Sequence, residues 1–164
     1  MGRESRRTVG AGGKAGGGQK AKRYPQVGAL PVREDEKGRL RVLLVTSRDT
    51  GRWVVPKGWP IDGLTDWTAA SIEALEEAGA EGDVASEPLG AYPYAKRLDD
   101  GSTKPCEVTL YPLHVSRLRG RWKEMDQRER RWFAPKHAAK KVDEPELGRI
   151  LQSLGRNLRS PARP

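Results

Sequence analysis

From residue 24 onward the apolar positions fall into short runs separated by turn residues, each with the length of a strand or a helix. The first run begins near Gln26, with Val27, Ala29 and Leu30 before Pro31, and Glu34-Asp35-Glu36-Lys37-Gly38 turns the chain. Leu40 to Thr46 reads Leu-Arg-Val-Leu-Leu-Val-Thr, whose continuous apolar centre predicts a strand covered on both faces. Arg48-Asp49-Thr50-Gly51 forms the next turn, and Trp53-Val54-Val55 is a short strand ended by Pro56. Leu89 to Arg97 and Cys106 to Val115 are strand-like, joined through Asp99-Asp100-Gly101-Ser102. Pro112 lies inside the second of these and predicts a bulge or an edge there, because proline cannot donate to a ladder. Trp132-Phe133 is the last strand-like pair.

Two segments follow the helical period instead. Thr65 is a fitting N-cap, Asp66 adds charge to the first turn and Gly79 suits the C-terminal cap, so a helix is predicted between them. Its projection puts Trp67, Ala70, Ser71, Ala74 and Ala78 on the packing face and turns Glu73, Glu76 and Glu77 away from it. Pro135 to Val142 reads as a helical turn, and from Pro145 the residues Leu147, Ile150, Leu151 and Leu154 form an amphipathic stripe. Strands interrupted by one helix and closed by another predict an α+β fold: an α/β/α sandwich around a mixed β-sheet.

Charge looks at first like a nucleic-acid signature, +9 over 164 residues. Its location changes the picture. Residues 1–23 carry seven basic side chains against Glu4, and Arg156, Arg159 and Arg163 supply the remaining three charges, which leaves residues 24–155 neutral. The N-terminal segment, with Gly10-Ala11-Gly12-Gly13 and Gly16-Gly17-Gly18, has too little apolar surface to fold and is expected to be a basic tail. Residues 156–164 are expected to be a second one. A neutral body argues against a nucleic-acid-binding fold. The single thiol, Cys106, excludes a disulfide within the monomer and a cysteine metal site, and fits a reducing interior. No apolar run approaches the roughly 20 residues of a membrane span, and no apolar leader follows Met1. The expectation is a soluble, cytoplasmic protein with one domain over residues 24–155 and no membrane partner.

Glu73, Glu76 and Glu77 stand at i, i+3 and i+4 and so share one face of their helix. On its own such a stripe is an ordinary solvated surface. The residues before it add to its meaning: Gly58 stands fifteen positions before Glu73, and Gly79 follows. This spacing resembles the Nudix box, Gly-x5-Glu-x7-Arg-Glu-U-x-Glu-Glu-x-Gly-U, where U is aliphatic. Trp53-Val54-Val55-Pro56-Lys57-Gly58 and Arg131-Trp132-Phe133 resemble the family's flanking segments. Val45-Thr46-Ser47-Arg48 followed by Arg52-Trp53-Val54-Val55-Pro56 is similar to the diphosphoinositol polyphosphate phosphohydrolase branch. The resemblance spans about Gln26 to Leu154. Two box positions depart from it: the first Glu is Leu64 here and the Arg is Ile72, an acid and a base lost together, which is expected to cost little where an ion pair yields to apolar groups.

The resemblance implies Mg²⁺, or Mn²⁺ in its place, held by Glu73, Glu77 and the Gly58 carbonyl, with Glu76 as general base. Hard cations of this kind take oxygen ligands and keep several waters. The implied substrate is a phosphorylated small molecule with a diphosphate linkage, such as a diphosphoinositol polyphosphate or a dinucleoside polyphosphate; the alternatives are a nucleoside-diphosphate-linked substrate, an RNA 5′-pyrophosphate, or a catalytically silent domain that binds a phosphorylated ligand. A monomer or a homodimer is expected. Ser47, Arg48 and Lys57 are the favoured phosphate contacts, with Arg33 and Arg97 beside them. Arg52, Lys96 and Lys104 also border the expected pocket, Trp59 could stack on a base, and Glu124 and Glu129 are alternative sources of a base. His114 and His137 have no metal-ligand partner at useful spacing.

Overall fold

The structure, a computed structural model, describes residues 22–154. The expected tails, residues 1–23 and 156–164, lie outside the described residues except for residues 22 and 23. Among the described residues, eight strands and three helices follow one another: β1 Tyr24–Glu34, β2 Leu40–Thr46, β3 Trp53–Val54, β4 Lys57–Gly58, α1 Asp66–Ala78, β5 Ala80–Val84, β6 Gly90–Arg97, β7 Thr103–Leu118, β8 Arg130–Phe133, α2 Pro135–Lys141 and α3 Pro145–Gln152. The strands make one mixed sheet in the order β3-β2-β1-β7-β5, with β4 also paired to β1, β6 to β7 and β8 to β2. β1 and β7 run parallel from Tyr24↔Cys106 to Val32↔His114, and the other pairings are antiparallel. No described helix is long and apolar enough to cross a membrane.

Alternate residues of the central strands feed two cores. Leu30, Val32, Val42 and Leu44 pack with Tyr92, Val108 and Leu110 under α2 and α3, whose Ala138, Leu147 and Leu151 are buried there. Val27, Ala29, Leu43 and Val45 point the other way, onto Ala69, Ala70, Ala74 and Ala78 of α1. β2 is thus covered on both faces, as its unbroken apolar run requires. The alanines let α1 lie close to the sheet.

Three expectations need correction. Pro112 is neither at an edge nor in a bulge: it lies within β7, where the flanking partner changes from β6, paired up to Leu110, to β5, paired from Leu113. Its carbonyl accepts from the Ala85 N–H of the intervening loop at 2.9 Å, so the missing donor faces that loop and no ladder bond is lost. The helix face is also rotated: Ala69 and Glu77 are buried, whereas Trp67 and Ser71 are half-buried, so Glu77 does not point outward. β5, Ala-Glu-Gly-Asp-Val, was not expected as a strand, since its residues have little preference for one. Pairing with β7 makes it one, with a register shift at Glu81/Gly82.

Candidate active site

α1 starts and stops where its caps direct. Thr65 Oγ1 accepts from the Thr68 N–H at 3.2 Å, and Gly79 takes the left-handed conformation at φ 68°. The carbonyls at the helix C-terminus would otherwise lack partners. Leu75 O accepts from Gly79 N–H and Glu76 O from Glu124 N–H. Glu77 O accepts from the Trp122 indole and Ala78 O from Arg130 Nη1. The loop between β7 and β8 is thereby docked on the end of α1, and it delivers Glu124 and Arg128 to the acids.

β4 brings Gly58 to the other side of the same acids. A Cβ on residue 58 would collide with the Glu73 carboxylate, so only glycine leaves the carboxylate where it is. Next to it, the Lys57 N–H donates to Glu77 Oε1 at 3.3 Å. Glu73 and Glu77 sit within reach of one another in a partly dry site. Burial, then the Glu77 charge, pushes the Glu73 carboxyl up to about 8. Burial also raises Glu77, against the pull of Arg128 and Lys57. Lys57 is itself pushed down to about 8 by burial, with Glu77 resisting.

These groups line a cleft of about 430 Å³ together with Ser47, Arg48, Lys96, Arg97 and Glu124. Of the expected substrate contacts, four are here. Ser47 shares a hydrogen bond with Thr50, Arg48 donates to Gln127 Oε1 at 3.2 Å, Lys57 lies 4.2 Å from the Tyr94 ring centre, and Arg97 lies 3.6 Å from Asp49. Arg33 stands elsewhere, stacked on Trp132 at 4.1 Å. Glu76 does not line the cleft; its carboxylate is 3.7 Å from Lys123 Nζ. Arg52 is taken up by Glu144, which it grips at 2.6 Å and 3.3 Å. Trp59 lines the rim and is 40% exposed, with Lys104 Nζ 5.5 Å from its ring centre.

Three cleft residues escaped sequence reasoning. Arg128 is one of several arginines in an irregular loop, and nothing in its spacing distinguishes it. Tyr94 looked like one more strand aromatic. Gln26 stands at the start of an apolar run, yet it is 3% exposed in the cleft wall, and its buried amide oxygen has no hydrogen-bond partner among the described residues.

Among the described residues no three acids or imidazoles converge as a finished cation cage. Glu73 and Glu77 still suit a hard cation: two carboxylates crowded into a partly buried site, over a glycine that clears room for them, match an ion that takes one or two carboxylates and completes its shell with water and phosphate oxygens.

The architecture is an α+β sandwich whose site lies where the acidic helix meets the glycine strand of a mixed sheet. The chain belongs to the NUDIX domain family, whose family model matches residues 22–154. Nudix hydrolase 13, mitochondrial, of Arabidopsis thaliana is 34% identical over 109 residues, 63% of this chain and 54% of that relative. Nudix hydrolase 12, mitochondrial, of the same plant is 36% identical over 107 residues, 63% of this chain and 53% of the relative. The chain spans about half the length of these curated relatives. Among solved structures, a C. elegans Ap4A hydrolase binary complex superposes with a TM-score of 0.60 at 22% identity, over 82% of this chain and 96% of that one. The NUDIX domain of Shewanella oneidensis NrtR, solved with ADP ribose, gives a TM-score of 0.61 at 14% identity, over 85% of this chain and 91% of that one. At such identities the likeness is one of fold.

Proposed function

We propose that this chain is a Mg²⁺-dependent hydrolase that cleaves the phosphoanhydride bond of a small diphosphate-linked molecule. The observation that carries this reading is the placement of Glu73 and Glu77 over Gly58 in a cleft that Arg48, Lys57, Lys96 and Arg97 also line. Bound there, a divalent ion would supply charge neutralisation for the diphosphate and a water of lowered pKa. Glu73, Glu77 and the Gly58 carbonyl would hold it. Ser47, Arg48, Lys57 and Arg97 bind and orient the phosphates, Arg with a planar fork and Lys as a point charge. The proton leaving the attacking water needs an acceptor facing the cleft. Glu124 lines it and Glu76 does not, so we assign that role to Glu124.

Within this class, the diphosphoinositol polyphosphates and the dinucleoside polyphosphates differ in what they offer the cleft. A fully phosphorylated inositol ring carries acceptors only and has no aromatic face. A nucleoside end has a base that can stack on exposed Trp59 at the rim. The cleft therefore favours the dinucleoside compound.

The test is a panel of dinucleoside polyphosphates, sugar nucleotides and diphosphoinositol polyphosphates, incubated with Mg²⁺ or Mn²⁺ and resolved by mass. Metal-dependent splitting of a diphosphate link is expected, fastest with a nucleoside-bearing compound. Glu124→Gln should slow it far more than Glu76→Gln. Turnover undiminished in Glu77→Gln would remove the metal assignment.

A further inference from the structure

Two acids of the cleft, Glu77 and Glu124, share one buried guanidinium. The Arg128 side chain is 8% exposed, and all three parts of its guanidinium are engaged. Nε donates to Glu124 Oε1 at 2.6 Å, Nη1 donates to the Thr46 carbonyl at 2.9 Å, and Nη2 lies 3.5 Å from Glu77 Oε2. These partners belong to the β7–β8 loop, the end of β2 and α1. A planar fork with five donors can meet all three, whereas an ammonium on a flexible stem cannot.

The loop backbone does not depend on Arg128 alone for its place. Glu124 N–H, the Trp122 indole and Arg130 Nη1 already bind it to the last carbonyls of α1. Thr46 and Glu129 also clasp one another: the Glu129 N–H donates to Thr46 Oγ1 at 2.9 Å, and the Thr46 N–H donates to Glu129 O at 3.0 Å. What is left for Arg128 is the orientation of two carboxylates. The helix itself brings no second cation for the purpose, since half-buried Ile72 precedes Glu73.

We propose that Arg128 is a positioning residue that holds Glu77 in the single orientation able to receive a divalent cation, with Glu124 fixed beside it as proton acceptor. The inference rests on the reading of the cleft as a metal-dependent site. It also separates cleanly from a simple effect of charge. As a bare positive charge beside Glu77, Arg128 would repel an incoming cation, and its removal would tighten metal binding. As a positioning group, its removal must weaken binding, because the Glu77 carboxylate loses its orientation.

Mn²⁺ affinity of the full-length, substrate-free protein, read by electron paramagnetic resonance, tests the sign. Arg128→Ala is expected to weaken Mn²⁺ binding about tenfold, the scale on which groups orienting metal ligands act, and Arg128→Lys should recover only part of the loss. Equal or tighter binding by Arg128→Ala overturns the proposal. If that variant does not fold, Arg128→Lys decides alone: weaker binding than the parent supports the proposal and parental affinity overturns it. Parental protein that binds Mn²⁺ but splits no compound of the panel defeats the proposed function and leaves this comparison readable. Parental protein that binds no Mn²⁺ defeats both.

Discussion

Glu73 lies so close over Gly58 that a single methyl group on residue 58 would displace its carboxylate. Gly58 is not among the residues with positive φ, so alanine can adopt its backbone without strain. Gly58→Ala should therefore act on the site and not on the fold. Activity is expected to fall about a hundredfold, the cost of moving a reacting group by an ångström or so. Stability should change by less than about 1 kcal/mol, because the obstructing atoms belong to a flexible side chain. Steady-state rates and a thermal melt on the same preparation check both halves.

Glu77 is 7% exposed, and its charge is balanced by Arg128 and Lys57 rather than by solvent. A cation that binds only the folded state raises the melting temperature once its concentration exceeds its dissociation constant, and logarithmically beyond that. Mg²⁺ should accordingly stabilise the parental protein, and Glu77→Gln should abolish that concentration-dependent shift while lowering the rate by at least about a hundredfold. A melting temperature of Glu77→Gln that still climbs with Mg²⁺ would show that the ion binds elsewhere.

The sequence carried the frame because periodicity and caps are local. The apolar run of β2, the cap residues Thr65 and Gly79, and the stripe of α3 each specify their own element, and the box spacing brought Gly58 to Glu73 before any coordinates. What stayed hidden was set by contacts distant in sequence. β5 is a strand only because β7 lies beside it. Arg128 matters because its loop covers the end of a helix 52 residues earlier in the chain. Gln26 becomes a cleft residue because the ladder of β1 with β4 ends at Val27↔Gly58. Glu76 has the right spacing for the acidic face, yet its carboxylate leans toward Lys123 and away from the cleft. Helical spacing fixes which side of a helix an acid occupies. It does not fix which neighbour that acid meets.

Without metal, the acid pair should make the fold sensitive to base. The Glu73 carboxyl is raised from 4.5 to about 8, so the folded state holds a proton that the unfolded chain releases. The sign follows: its contribution to stability is complete below pH 4.5 and is lost as pH rises through about 8. Glu77 is shifted in the same direction. In chelator the melting temperature is therefore expected to fall between pH 5 and pH 9, and saturating Mg²⁺ should flatten the decline by taking the place of the proton. A metal-free melting temperature that rises over this interval would contradict the crowded pair.

Gly82 provides the corresponding prediction for the scaffold. It sits at the register shift between β5 and β7, where a Cβ would run into the His114 carbonyl. Here the obstacle is backbone in the sheet's longest strand, which cannot move aside as the Glu73 side chain can. Gly82→Ala should cost about 1–3 kcal/mol, the range for overpacking a rigid contact. The loop after β7 begins with Arg119, which bonds Glu81 of β5, but the stretch that carries Glu124 and Arg128 is tied to α1 and to β2. Folded Gly82→Ala protein should consequently keep the parental rate at 25 °C while melting earlier. A variant that melts with the parent would mean that the strands part at no cost and that the shift at Glu81/Gly82 is soft.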